Sequence, residues 1–169
     1  MARDIKHPKI SFGEGPRRII AEDFPSVGEL PIRGGWGYSR DDAVIIDKND
    51  PLVPKGVPFF GLDIENVFVE KRIYEELIVF QPKEARYSGI RWNRTKQALI
   101  QGEDGKSYDL LHVTVTALPS AEWEALKAIW EGPDGAGSMN FDKDSHWRKH
   151  EESTIRYDAE YWFEISSFC

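Results

Sequence analysis

Cysteine is nearly missing from this sequence: among 169 residues only Cys169, at the last position, carries a thiol. That excludes an internal disulfide and fits a reducing compartment. Long apolar runs are missing too. No stretch approaches the roughly 20 apolar residues that a membrane-crossing helix needs. Met1 to Lys9 is charged and broken by Pro8, unlike a secretory leader. These absences make the cytoplasm the expected compartment. Basic charge is the third shortage: 22 Lys and Arg stand against 29 Asp and Glu, a formal net charge of −7. Neutralising phosphates needs a basic face, so neither nucleic acid nor an anionic membrane is an expected partner. Only Arg86 to Lys96 is locally dense in positive charge.

Known chemical signatures are absent as well. Gly34-Gly35-Trp36-Gly37-Tyr38 has the wrong spacing for a dinucleotide fingerprint and no strand-to-helix unit around it. Ser39 lacks the flanking glycines of a nucleophile elbow. The loop Gly132 to Ser138 does not follow a strand, which removes a phosphate-cradling role. No segment matches a family motif. No catalytic residue, cofactor or metal site is therefore expected.

What is present is the composition of a globular protein: 40% hydrophobic, 30% charged and 12% aromatic residues. The length suits one domain, 1–169. Prolines and glycines crowd 1–60, which reads as an irregular wrapping segment because proline removes a ladder donor and breaks helices. Within it, Ala43-Val44-Ile45-Ile46 reads as a short buried strand. The main sheet and helix fall in 61–169. Asp63 to Gln81 mixes both periodicities; it predicts one or two helical turns over Asp63 to Glu70, then a strand over Ile73 to Gln81. Tyr87 to Trp92, Ala98 to Gln101 and Tyr108 to Ala117 alternate, with an Asp104-Gly105 turn, and predict a meander of at least three strands. Pro119-Ser120, with Ser120 as N-cap, opens a helix carrying Trp123, Leu126 and Trp130 on one face and ending at Gly132. Ile155 to Ile165 alternates apolar with charged residues and predicts a strand with one wet face. The expected fold is α+β: a mainly antiparallel β-meander sheet, one or two helices on one face, and the Pro/Gly-rich wrap.

Six residues stand out as candidates for binding. Trp36 and Tyr38 sit among glycines that allow close backbone approach, followed by Asp41 and Asp42. A tight hairpin with Trp36 anchored in the core is the structural alternative. His112 lies on the more polar face of its predicted strand, beside Thr114 and Thr116. Trp162 lies on the charged face of the last strand, where it would anchor an interface or be covered by the wrap. His146 and His150 are spaced i, i+4, as zinc ligands often are, but no third ligand is fixed. Two readings follow. The first is an acidic cytoplasmic protein-binding module, of immunity or antitoxin type, that neutralises a basic partner. The alternative is a small-molecule-binding or hydrolytic enzyme with a pocket near the Gly34–Asp42 loop and His112, with Trp36, Tyr38 and Trp92 at its mouth. The oligomeric state is not legible.

Overall fold

Two long strands with strict alternation organise the chain. In β5 (Ser107–Pro119) Leu111, Val113, Val115 and Ala117 turn inward; in β6 (Ile155–Glu164) Ile155, Tyr157, Ala159, Tyr161 and Phe163 do the same. The two pair antiparallel from Tyr108↔Glu164 to Ala117↔Ile155, so their apolar residues share one face. The computed structural model describes residues 1–11 and 13–169. Among them a mostly antiparallel sheet of six strands runs in the order β2-β3-β6-β5-β4, with β2 (Ile32–Gly34), β3 (Val44–Ile46) and β4 (Tyr87–Gln101). The two-residue β1 (Arg3–Asp4) pairs parallel with the start of β6. With four helices packed against the sheet, the fold is α+β as expected.

The inner face is covered by α2 (Gly61–Tyr74), which presses Phe68, Val69 and Ile73 onto it. Phe68 meets Tyr161 and Phe163 edge-on, with ring centroids 6.5 and 5.7 Å apart. On the other face, α3 (Ser120–Glu131) and α4 (Lys143–Ser153) lie over one end of the sheet. There Gly89, at φ +60°, leaves the room that Trp123 fills. Among the described residues no helix is long and apolar enough to cross a membrane.

Several expectations change. The strand predicted over Ile73 to Gln81 is helical: α2 runs to Tyr74 and continues as a π-helical turn over Glu75–Val79. This helix is buried around much of its girth, with Glu65, Arg72, Glu75 and Glu76 inside, so it shows no single apolar stripe. The predicted strands Tyr87 to Trp92 and Ala98 to Gln101 are one strand, β4, carried past two register shifts between Ser88/Arg91 and Arg94/Lys96. It forms a hairpin with β5, and β6 joins only after two helices, so the strands are not consecutive. The proline-rich region holds a helix, α1 (Pro16–Asp23), in which Pro16 occupies the first turn, where its missing N–H does no harm. Ser120 begins α3 but does not cap it: its hydroxyl pairs with Ser88 Oγ at 2.8 Å. The strand at Val44–Ile46, the turn at Asp104-Gly105, the end of α3 before Gly132 and the terminal strand stand where the sequence places them.

Candidate functional site

The six candidate residues divide between the two faces of the sheet. Trp36 and Tyr38 go inward. Trp36 is buried, its ring 6.3 Å from Phe68, and its Nε1 donates to the Glu14 carbonyl at 3.1 Å. The loop that carries it is stitched by Asp42, whose carboxylate accepts from the backbone N–H groups of Trp36 and Tyr38, each at 3.3 Å. Gly37 donates to the Asp42 carbonyl at 2.7 Å and accepts from Trp162 N at 2.9 Å, tying the loop to β6. A Cβ on Gly35 would fall 2.6 Å from the Asp42 carbonyl oxygen and closer still to its carboxylate. Gly35→Ala is therefore expected to destabilise the fold by about 1–3 kcal/mol through overpacking. A thermal melt followed by circular dichroism measures this; an unchanged midpoint would mean that the loop is not held this way.

Tyr38 reaches a buried polar centre that the sequence reading missed. Arg72 is fully buried, with its guanidinium carbon 3.4 Å from the Tyr161 ring centroid and 4.2 Å from that of Tyr38. It donates to the carbonyls of Trp36 (3.1 Å) and Glu160 (2.9 Å), and its Nε stands 3.6 Å from Glu76 Oε2. The same Glu76 oxygen accepts from Tyr38 Oη at 2.8 Å and from His7 Nε2 at 2.7 Å. Tyr38 Oη in turn accepts from Ile10 N at 2.9 Å. Burial, and then the charge of Glu76, push the Tyr38 and Tyr157 phenols well above their ordinary range. Both therefore stay neutral, and Tyr38 donates to Glu76. Glu76 Oε1 and the hydroxyls of Tyr157 and Tyr161 are buried with no hydrogen-bond partner among the described residues. Arg72, Glu75 and Glu76 are spaced i, i+3, i+4 and so share one face of the helix; that spacing reads as an ordinary solvated face, and only their burial sets them apart.

The remaining candidates stay on the outer side. Asp41 is exposed, and Asp41 and Asp42 line an open groove of about 320 Å³ with Arg40, Ile45, Tyr108 and Glu164. Trp162 lies half-buried, its ring edge-on to Tyr108 at 6.2 Å, and its Nε1 donates to Glu160 Oε2 at 3.2 Å. His112 Nδ1 stands 3.9 Å from Glu160 Oε1. Tyr108 donates to Asp104 Oδ2 at 2.6 Å, which pushes its phenol up to about 12. Along β6, Arg156, Asp158 and Glu160 are exposed. Arg156 is paired with Asp4 at 3.0 Å.

The pocket mouth suggested by Trp36, Tyr38, Trp92 and His112 does not form. Trp92 pairs with Val115, an inward position, whereas His112 pairs with Lys96 on the opposite face. His146 and His150 do share a helix, α4, where His146 is buried against Trp130 (5.1 Å) and Phe141 (5.4 Å). Burial and then the charge of His146 hold the His150 imidazole below its usual value. Among the described residues no group of three or more His, Cys, Asp or Glu is placed to hold a metal ion. No family model, curated protein or solved structure matches this chain.

Proposed function

We propose that this chain is a protein-binding module that takes a basic partner on the outer face of β5 and β6. The observation that carries the reading is the acidic row Asp158, Glu160 and Glu164, flanked by Asp41 and Asp42, with Trp162 set among the carboxylates. Carboxylates arranged on a rigid sheet steer a cationic surface at long range. A half-buried tryptophan beside them supplies the desolvated anchor from which interfaces draw affinity. The net charge of −7 adds to the same field. Neutralisation of a basic toxin-like protein, as immunity proteins and antitoxins do, is the specific form of this reading.

Asp158 and Glu160 project into solvent, so replacing both by Lys should leave the fold intact. The test uses wild-type chain, Asp158→Lys/Glu160→Lys and Trp162→Ala as immobilised baits against native lysate at low and moderate salt. The expected result is a basic protein retained by the wild type, weakened about tenfold or more by charge reversal, with its association rate falling as salt rises. Trp162→Ala should speed dissociation instead. Capture of nothing but further copies of the chain, or equal capture by all three baits, overturns the proposal.

A further inference from the structure

The N-terminal arm lies over the buried polar centre and places a side chain in it. Backbone bonds hold the arm to β6, Arg3 N to the Thr154 carbonyl at 2.8 Å and Ile5 N to the Arg156 carbonyl at 2.9 Å, and Ile10 N is tied to Tyr38. Between these ties, His7 enters a slot built from elements distant in sequence. Its ring stacks on Tyr157, with centroids 4.8 Å apart and planes 17° apart, and meets Tyr38 edge-on at 5.6 Å. Its Nε2 reaches Glu76 Oε2 at 2.7 Å; the His7 side chain is 12% exposed and that of Glu76 0%.

Three independent features mark this slot as a recognition site rather than simple packing. First, Glu76 Oε1 and Tyr157 Oη remain buried and, among the described residues, without partners beside the imidazole, an arrangement that native interiors rarely keep without a role. Second, Glu76 is presented by the π-helical turn Glu75–Val79, a rare distortion that concentrates at functional sites. Third, the filling group arrives on an extended segment paired with a strand edge, the way in which sheet proteins take peptide ligands. The arm's own pairing is short, limited to Arg3 and Asp4.

We propose that the slot walled by Tyr157 and Tyr38 and floored by Glu76 binds an imidazole side chain carried on an extended peptide segment. The chain's own arm fills it in cis through His7. The chemistry is specific: the flat ring needs the Tyr157 face, and a ring N–H must point at the Glu76 carboxylate. A cation without N–H cannot replace the hydrogen bond that the His7 ring makes to Glu76 Oε2. This slot lies on the face opposite the acidic outer row, so it goes beyond the partner-binding reading and stands or falls apart from it.

The experiment uses the full-length chain with His7→Gly, which empties the slot and leaves the rest of the arm. Free imidazole is expected to raise the thermal midpoint of His7→Gly along a saturating curve and to leave the wild type unmoved. The Tyr157 and Tyr38 ring proton resonances should shift over the same concentration range. Tetramethylammonium, which has no N–H, should do neither. Should His7→Gly not fold in buffer, recovery of its folded spectrum by imidazole reads the same way. An absent response in His7→Gly, or an equal one in the wild type, overturns the proposal.

Discussion

Replacing Arg72 with Met is expected to destabilise the protein by about 3–5 kcal/mol, the usual consequence of removing one partner from a buried ion pair. Arg72 is fully buried, and Glu76 beside it is 0% exposed. Met fills much of the same volume, so the loss is not mainly that of a cavity. It comes from the Glu76 carboxylate left without its cation, and from the carbonyls of Trp36 and Glu160 left without a donor. Those two carbonyls belong to the glycine-rich loop and to β6, so Arg72 also ties the loop to the sheet. Since single domains have only about 5–15 kcal/mol in hand, the variant should be marginal at room temperature. Urea unfolding at neutral pH measures the effect. The double variant Arg72→Met/Glu76→Gln should recover part of the loss, because the uncompensated charge goes with it. A single variant within about 0.5 kcal/mol of the wild type would show that the guanidinium is not the keystone of this centre.

The second large effect is a decline in stability as pH rises through neutrality. Glu65 is held up to about 8 by burial, then by the charge of Asp109 and a hydrogen bond with it. Asp109 is itself buried and accepts from Gln97 Nε2 at 2.6 Å, so its position beside Glu65 disfavours a negative charge on Glu65. Glu75 is also held up to about 8, first by burial and then by Asp23. In the unfolded chain both lose their protons near the ordinary value of 4.5. Between those values the folded state holds protons that the unfolded state has released. Stability is then complete below pH 4.5 and falls towards pH 8, by up to roughly 1.4 kcal/mol per pH unit for each group. His150 acts in the opposite direction, since its depressed value adds stability as pH rises. Asp50 and Asp104 lie below 3.8 and matter only at more acid pH. Comparing variants isolates the two glutamates. Glu65→Gln and Glu75→Gln should each flatten the slope and overtake the wild type in stability by pH 8. Chemical unfolding at pH 5, 6.5 and 8 decides it; parallel pH profiles for wild type and both variants would sink the idea.

These two effects sit on α2 and its π-helical turn, the segment that the sequence renders least well. Pattern reading works where an element has one wet and one dry side. β6 is such a case, as Ile155, Tyr157, Ala159, Tyr161 and Phe163 alternate with Arg156, Asp158 and Glu160. The same alternation separates His112 and Trp162 from the core, and the structure leaves both half-buried on the outer face. It fails for Asp63 to Gln81, where the helix is enclosed by the sheet, α1 and the N-terminal arm. A side chain such as Arg72 then looks solvated in the sequence although it is the largest fully buried one. Trp36 follows the alternative that its glycine-rich setting allows, a tight loop with the ring anchored in the core, and Asp42 within the loop and Arg72 from α2 hold it there.

The amino-acid order by itself determined the α+β class, the outward carboxylates of the last strand, the helix over Ser120 to Glu131 and the acidic balance of the whole. Each of these depends on neighbours within a few residues, where backbone geometry turns spacing directly into facing. Only the tertiary structure decided that Arg72, Glu76, Tyr38, Tyr157 and His7 meet in one buried centre, and that Glu65 shares its surroundings with Asp109. Burial of a charge is decided by partners brought from other parts of the chain, and no local periodicity encodes which partners those will be.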